Sequence, residues 1–558
     1  MTPQQFSTMP PVDDFAEMLS DIFSGTNFEA TKPSVLEELP FTMRELDSAI
    51  HSLKSNKASD ECGLAAELLH HTPPAFREVL LNLYNHVLAT GEVPSSWKKT
   101  FFKMLAKSTK AKLVTDYRPI VTLRLLYKTF SYMVLCRIEP LLEVGQPEEQ
   151  HGFRQNRRLE EHLLTTNIVI DTSRAYGVPI WVLSLDLSKA FDRVDWQALW
   201  QALRDHGISQ HMIWIIQRLY SEQVGQVKTQ NESSKEFPIR AGVRQGCVLS
   251  PRLFCAVLEW AMRDWKQTGQ NFGIQLQTNA QALTDLRFAD DILLFALSLQ
   301  QILVMVRSLI LCLRQVGLVL NASKTKLMTT QAQPPNRVWL HEETYIDIVR
   351  DGSTHKWLGC QLSMSGDQTS DVEFHLHAAA RAFWANKWIL CDKHVPLALR
   401  VKFFEAVVTP VACFGAGHRK VPQHHLRKLD SEWRRLLRIM VGPPSGLDWS
   451  LPWHEVLHEW NQHVQQMTQT LNLQSWSYKC IHGYWNFAHH VAKLPANRWV
   501  KRAMSWSPNG VRVPGRPRDC WYTQLEAFAR FNGNTCWTEY VTNFFDIARG
   551  AFIDFVQH

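Results

Sequence analysis

What this sequence of 558 residues lacks narrows its function first. Its 11 cysteines are scattered, with no Cys-x2-Cys pair anywhere, so neither a disulfide scaffold nor a zinc ribbon or knuckle is expected. The pattern fits a reducing, intracellular setting in nucleus or cytoplasm. Cys391-x2-His394 followed by Cys413-x4-His418 comes nearest to zinc spacing, but the stretch between them, with KFFEAVV, reads as helix. No apolar run is long enough to span a membrane. The most apolar stretch, Ile292 to Leu313, carries Gln300, Gln301 and Arg307 and reads as a strand followed by a helix. The N-terminus shows no secretory or transit signal, and a membrane role is not expected. Charge is not extreme either: the net value of +7 suits a nucleic-acid partner without establishing one.

What is present begins with LTDLRFADDILLFA, Leu283 to Ala296. Two short apolar strands flank the tandem carboxylates Asp290 and Asp291. Adjacent carboxylates repel and lose hydration, so a cation is expected among them. A solvated Asp-Asp hairpin turn is the alternative. A third acid, Asp186, stands 104 residues upstream at the end of PIWVLSLDL, an apolar strand fit for burial on both faces. Val182, Ser184 and Asp186 share one face, and Trp181, Leu183 and Leu185 the other. Asp186 or Ser188 could instead cap the next helix, whose apolar stripe is Trp196, Leu199, Trp200 and Leu203. Taken together, three acids suit phosphoryl transfer. Two Mg²⁺ ions about 4 Å apart would clamp the attacking and leaving oxygens, and no protein nucleophile is needed.

The ordered segments SLDLSKAFDRVDW, AGVRQGCVLSPRLF, LRFADDILLFA, GLVLNASKTKLM and KWLGCQL resemble the successive palm motifs of a reverse transcriptase. DYRPI and QHGFRQNRRLEE point to the non-LTR (LINE-type) retrotransposon branch. The resemblance runs from about Phe41 to about Gly442. It implies an α+β right-hand polymerase fold of fingers, palm and thumb with a mostly helical C-terminal extension. The domains expected are a loosely ordered lead-in over 1–40, fingers and palm over 41–370, a helical thumb over 371–442, and a tryptophan-rich region over 443–558. Forty residues cannot house the endonuclease that often precedes such polymerases, so the nick in target DNA would come from another chain.

By this resemblance Asp186, Asp290 and Asp291 are catalytic, and with Leu187 they hold two Mg²⁺ ions, for which Mn²⁺ could substitute. Lys107 and Arg118 fall where fingers residues meet the incoming deoxynucleoside triphosphate, although Leu-Ala-Lys stands where the family usually has Ile-Pro-Lys. Phe191 falls where an aromatic blocks a 2'-hydroxyl. Gln245 and Gly246 lie by the nascent base pair, and Lys324, after Asn321, could protonate departing pyrophosphate. Arg154 and Arg157 would contact template or phosphate. Arg434 and Arg435 lie on a basic thumb helix fit to track a duplex backbone. Arg516 and Arg518 could enter a minor groove, with a plain Pro/Gly turn as the alternative. The function expected is an RNA-directed DNA polymerase using an RNA template and a DNA primer or nicked target DNA. The competing reading is a decayed or repurposed copy that binds nucleic acid without polymerising.

Overall fold

The computed structural model describes residues 9–35, 37–107, 111–229, 231–269, 272–341, 344–349, 352–508, 512–514 and 520–557. A six-stranded sheet forms its centre. Its strands are β3 (Trp181–Leu185), β6 (Asp285–Phe288), β7 (Asp291–Ala296), β8 (Lys326–Thr329), β9 (Arg337–His341) and β10 (Thr344–Ile348), in the order β6-β7-β3-β8-β10-β9. A four-stranded sheet carries β1 (Lys99–Ala106), β2 (Tyr117–Thr122), β4 (Val224–Val227) and β5 (Phe237–Pro238), in the order β2-β1-β4-β5. A separate hairpin joins β11 (Thr354–Trp357) and β12 (Cys360–Ser363).

Alternation along β3 divides the molecule into two cores, because successive side chains point to opposite faces. Trp181, Leu183 and Leu185 enter one core with the Ser250–Thr268 and Leu299–Gln315 helices. Val182 enters the other with Leu293, Phe295, Met328 and the helices after β12. Every residue of β3 is buried, as its near-continuous apolar run requires. The fold is the expected right-hand polymerase: fingers sheet, palm sheet, then helices.

Two domain expectations change. Residues 12–22 form a helix, Val12–Ile22, with Phe15 and Leu19 fully buried and Phe15 edge-on to Tyr117 at 5.0 Å. This part of the lead-in is therefore ordered, seated on the fingers sheet. Val12, Phe15, Leu19 and Ile22 do follow helical spacing, but flanking prolines masked the signal. Likewise 443–558 is no separate core. Trp433 of the Gln423–Val441 helix, Trp476, Trp485 and Trp521 are buried in one cluster shared with the thumb helices. Arg516 and Arg518 lie outside the described residues.

Candidate active site

β6 and β7 pair down to Phe288↔Asp291, leaving Ala289 and Asp290 as a two-residue turn. Ala289 adopts φ +58°, a left-handed backbone that turns of this length usually assign to glycine. β3 runs antiparallel to β7, with Leu185 paired to Ile292. One step further along that register, Asp186 stands beside Asp291. Asp186 caps no helix: the Trp196–Asp205 helix is capped by Asp195, whose Oδ1 accepts the Ala198 N–H at 2.9 Å. Backbone bonds fix the strand end instead. Asn321 N–H donates to Asp186 O at 2.8 Å, Ser188 N–H donates to Val319 O at 2.8 Å, and Leu187 bridges Leu320 between them. The Leu187 side chain, buried and a hydrocarbon, has no donor atom, so its carbonyl oxygen is the one ligand atom that residue can offer.

Electrostatics mark the acids as a unit. Loss of hydration, then Asp290 and Asp186, push the Asp291 carboxyl up to about 6, although this residue keeps an open face to solvent. Desolvation first, and Asp186 second, also raise Asp290. Such carboxylates repel one another and are poised for a cation. Lys324 Nζ lies 3.9 Å from Asp186 Oδ2 and is 70% exposed, so it is free to swing toward an incoming phosphate. The donor set is oxygen only, which fits a hard divalent cation such as Mg²⁺.

Around the acids, the fingers sheet meets the loop between β5 and the 250–268 helix. A Cβ at Gly246 (φ +83°) would stand 3.5 Å from Val121 O, and Gly242 approaches the Asp192 carbonyl so closely that a Cβ would sit 2.6 Å from it. Gln245 Nε2 donates to Asp192 Oδ1 at 2.7 Å. Asp192 is buried, and desolvation pushes its carboxyl up to about 6 despite that bond. Phe191 stacks on Phe254 at 4.6 Å between centroids and stays half-buried. Lys107 and Arg118 sit exposed at the ends of β1 and β2. Lys107 Nζ donates to Thr115 O at 2.5 Å. Arg434 is exposed, while Arg435 is partly held by a forked bond to Glu432 at 2.6 and 2.7 Å.

The expectation for Arg154 and Arg157 is corrected. Arg154 has a side chain 4% exposed, paired to Glu143 at 2.7 Å and donating to Gln150 O at 2.9 Å. Arg157, 9% exposed, forks onto Glu148 at 2.5 and 3.1 Å. Both guanidiniums are consumed inside the protein, where buried Arg–carboxylate pairs fasten the 147–158 loop.

That loop matters for another reason, which the sequence reading missed. Gln150, fully buried, accepts the N–H groups of Ala289 (2.9 Å) and Gly152 (2.8 Å) on Oε1. Gly152 is glycine because a Cβ there would stand 2.2 Å from Ala289 N. Behind the hairpin Arg287, also fully buried, pairs with Asp285 and Glu259 at 2.9 Å each, and Lys266 bridges Asp285 and Glu149. The Arg287 carbonyl accepts the His151 N–H at 2.9 Å and lies 3.0 Å from His162 Nε2. The cue was the QHG triplet itself, read only for its following arginines.

Residues 105–362 match the family model described as reverse transcriptase (RNA-dependent DNA polymerase). The Pol polyprotein of type-2 retrotransposable element R2DM from Drosophila melanogaster is 27% identical over 53% of this chain and 28% of its own length. That of type-1 retrotransposable element R2 from Popillia japonica is 24% identical over 72% of this chain and 54% of its own. The chain thus spans about half or less of these relatives. Among solved structures, a telomerase from Candida tropicalis in complex with a TWJ fragment of telomeric RNA has 12% identity and a TM-score of 0.36, covering 77% of this chain and 68% of that one.

Proposed function

The chain carries a reverse transcriptase domain of the non-LTR retrotransposon family, and from that premise we infer that it extends a DNA 3'-hydroxyl on an RNA template. The observation carrying this reading is the convergence of Asp186, Asp290 and Asp291 at one end of the six-stranded sheet, with the Asp290 and Asp291 carboxyls raised and an exposed lysine beside Asp186. Divalent cations, Mg²⁺ by the oxygen-only donor set and Mn²⁺ as a substitute, would be held by the three carboxylates and the Leu187 carbonyl. When bound they supply neutralisation of charge at the attacking and leaving oxygens.

The chain's own residues do the rest. Lys107 and Arg118 on the fingers sheet receive the triphosphate, the lysine as a point charge and the arginine as a fork. Gln245 and Gly246 lie under the nascent base pair. The Phe191 ring, fixed against Phe254, stands against the sugar and excludes a 2'-hydroxyl. Lys324 is placed to hand a proton to pyrophosphate as it leaves. Arg434 and Arg435 face the duplex backbone from the thumb.

The partners implied are an RNA template, a DNA primer or nicked target DNA, and deoxynucleoside triphosphates. Among the described residues no helix is long and apolar enough to cross a membrane. Work in the nucleus or cytoplasm belongs to the same proposal. Primer extension with purified protein tests it by comparing dNTPs with NTPs, and RNA with DNA templates. Extension with dNTPs on RNA is expected. RNA binding with no extension under any pairing would support a binding protein instead.

A further inference from the structure

Hairpin β11–β12 meets the helices behind it through a second, wholly buried set of ligand-bearing side chains. Cys360 opens β12, Asp371 lies in the first turn of the Thr369–Ala385 helix, and His418 ends the short Ala416–His418 turn. Their exposures are 1, 2 and 3%. One ligand atom from each lies within 4.8 Å of the other two. Gly415, at φ +69°, makes room for the meeting. A Cβ there would stand 3.0 Å from Cys360 Sγ and 3.1 Å from His418 Nδ1.

Two histidine nitrogens point to a missing ligand. His418 Nδ1 is buried without a hydrogen-bond partner among the described residues, and burial lowers its imidazole to about 3, so the ring is neutral at pH 7. Buried polar atoms are nearly always satisfied, and an orphan suggests an ion or water. His375, one turn beyond Asp371, has Nδ1 3.2 Å from Val411 O and Nε2 3.5 Å from Asp371 Oδ1. A ring nitrogen fixed by a backbone carbonyl, with the other turned to a ligand set, is how metal-binding histidines are commonly oriented.

We propose that Cys360, Asp371 and His418 bind a zinc-class transition metal, with His375 as the fourth donor, at a site separate from the catalytic carboxylates. A sulfur, nitrogen and oxygen set selects this class over Mg²⁺. Metal–ligand bonds of about 2.0–2.3 Å place tetrahedral ligands roughly 3.5 Å apart, so the cluster closes by about 1 Å on binding. Asp371 is held in place at the cluster by the Arg419 guanidinium and the Gln361 N–H. Arg419 Nε sits on Asp371 Oδ2 at 2.5 Å, while Oδ1 accepts the Gln361 N–H at 2.6 Å and lies 3.5 Å from His375 Nε2; Arg419 and the Gln361 amide become the outer partners of a ligating carboxylate. The Cys360 thiol, pushed up to about 12 by burial, carries its proton while the site is empty. Binding releases that proton to solvent as the thiolate–metal bond forms. A small polar cavity lined in part by Ser363, Asp367, Asp371 and His418 adjoins the cluster as an entry path. The bound metal would staple the β11–β12 hairpin to the 369–385 helix and the 413–419 segment.

The test reads metal content and colour, not polymerisation, so it stands or falls apart from the polymerase reading. Full-length protein is stripped with a chelator, dialysed against Zn²⁺ and then analysed by mass spectrometry; a parallel sample is loaded with Co²⁺. One zinc per chain is expected, together with the sulfur-to-cobalt charge-transfer absorption that requires a thiolate ligand. Cys360→Ser should abolish the absorption, while Cys413→Ser and Asp290→Asn should leave it in place. His418→Asn, expected to lose zinc with Cys360 intact, covers the case in which Cys360→Ser does not fold. A cooperatively folded wild type that takes up no zinc, or an absorption that persists in folded Cys360→Ser, would overturn the site.

Discussion

Gln150 holds Ala289, the residue immediately before the paired carboxylates, from both sides: its Oε1 accepts the Ala289 N–H at 2.9 Å and its Nε2 donates to Ala289 O at 3.3 Å. A left-handed alanine in a two-residue turn is held at some cost, and the side-chain amide acts there as the missing strand partner. Gln150 is thus a positioning residue for Asp290 and Asp291.

Replacing it tests that role. Gln150→Leu orphans two buried N–H groups, at about 1–3 kcal/mol each. We expect kcat to fall on the order of 10- to 100-fold, with KM for the nucleotide nearly unchanged, since misplacement of reacting groups acts on the chemical step. Gln150→Glu, which keeps the acceptor oxygen, should recover part of the loss. A purely structural role would lower the melting temperature and leave kcat per folded molecule intact.

Asp291 should trade stability for function. Its carboxyl is raised from 3.8 to about 6, so ionisation disfavours the folded state, an effect growing as pH rises from 3.8 and complete above about 6. Asp291→Asn should therefore stabilise metal-free protein at pH 8, by about 1 kcal/mol after allowing for screening at its open face. Polymerisation should disappear. Adding Mg²⁺ should raise the melting temperature of wild type more than that of the variant, as thermal denaturation would show.

Lys324 makes a kinetic prediction without a stability one. It is 70% exposed, so Lys324→Ala should leave the melting temperature alone. A lost proton donor would lower kcat on the order of 100-fold. Lys324→Arg, which keeps the charge but does not give up its proton, should not restore kcat.

The stacked pair His151 and His162, 3.7 Å between centroids, gives a pH dependence of stability. Burial is the main cause that lowers His162 from 6.5 to about 4, with His151 also lowered well below its ordinary value. A base with a depressed folded pKa leaves the unfolded chain binding more protons between those values. Its contribution is intact above pH 6.5 and is lost as pH falls toward 4. For His162 this amounts to about 3 kcal/mol. Urea midpoints at pH 7.5 and 4.5 should differ by less in His162→Asn than in wild type.

The sequence made the three clustered acids legible because strand patterning is short-range: short apolar runs marked β3, β6 and β7, and carboxylates at strand ends stand out against apolar neighbours. The capping box at the Met43–His51 helix is of the same local kind: Thr42 and Glu45 stand three residues apart, and both bonds form. Partners were not legible. Nothing in QHGFRQNRR shows that Glu143 and Glu148 fold back onto Arg154 and Arg157, or that Gln150 reaches a turn 139 residues away. The segment nearest to zinc spacing shows the same limit. His418 meets Cys360, not Cys413, whose thiol pairs with Cys480 from a helix far along the chain. Long-range pairing is set by topology, which local pattern does not encode.

We propose that Asp186, Asp290 and Asp291 form one polymerising site. Extension of oligo(dT) on poly(rA) with Mg²⁺, wild type beside Asp290→Asn, tests this. Wild type is expected to show dTTP-dependent extension, with its loss, by at least about 1000-fold, in a variant that folds and binds RNA as before. Undiminished extension by Asp290→Asn, or none by well-folded wild type, would contradict it.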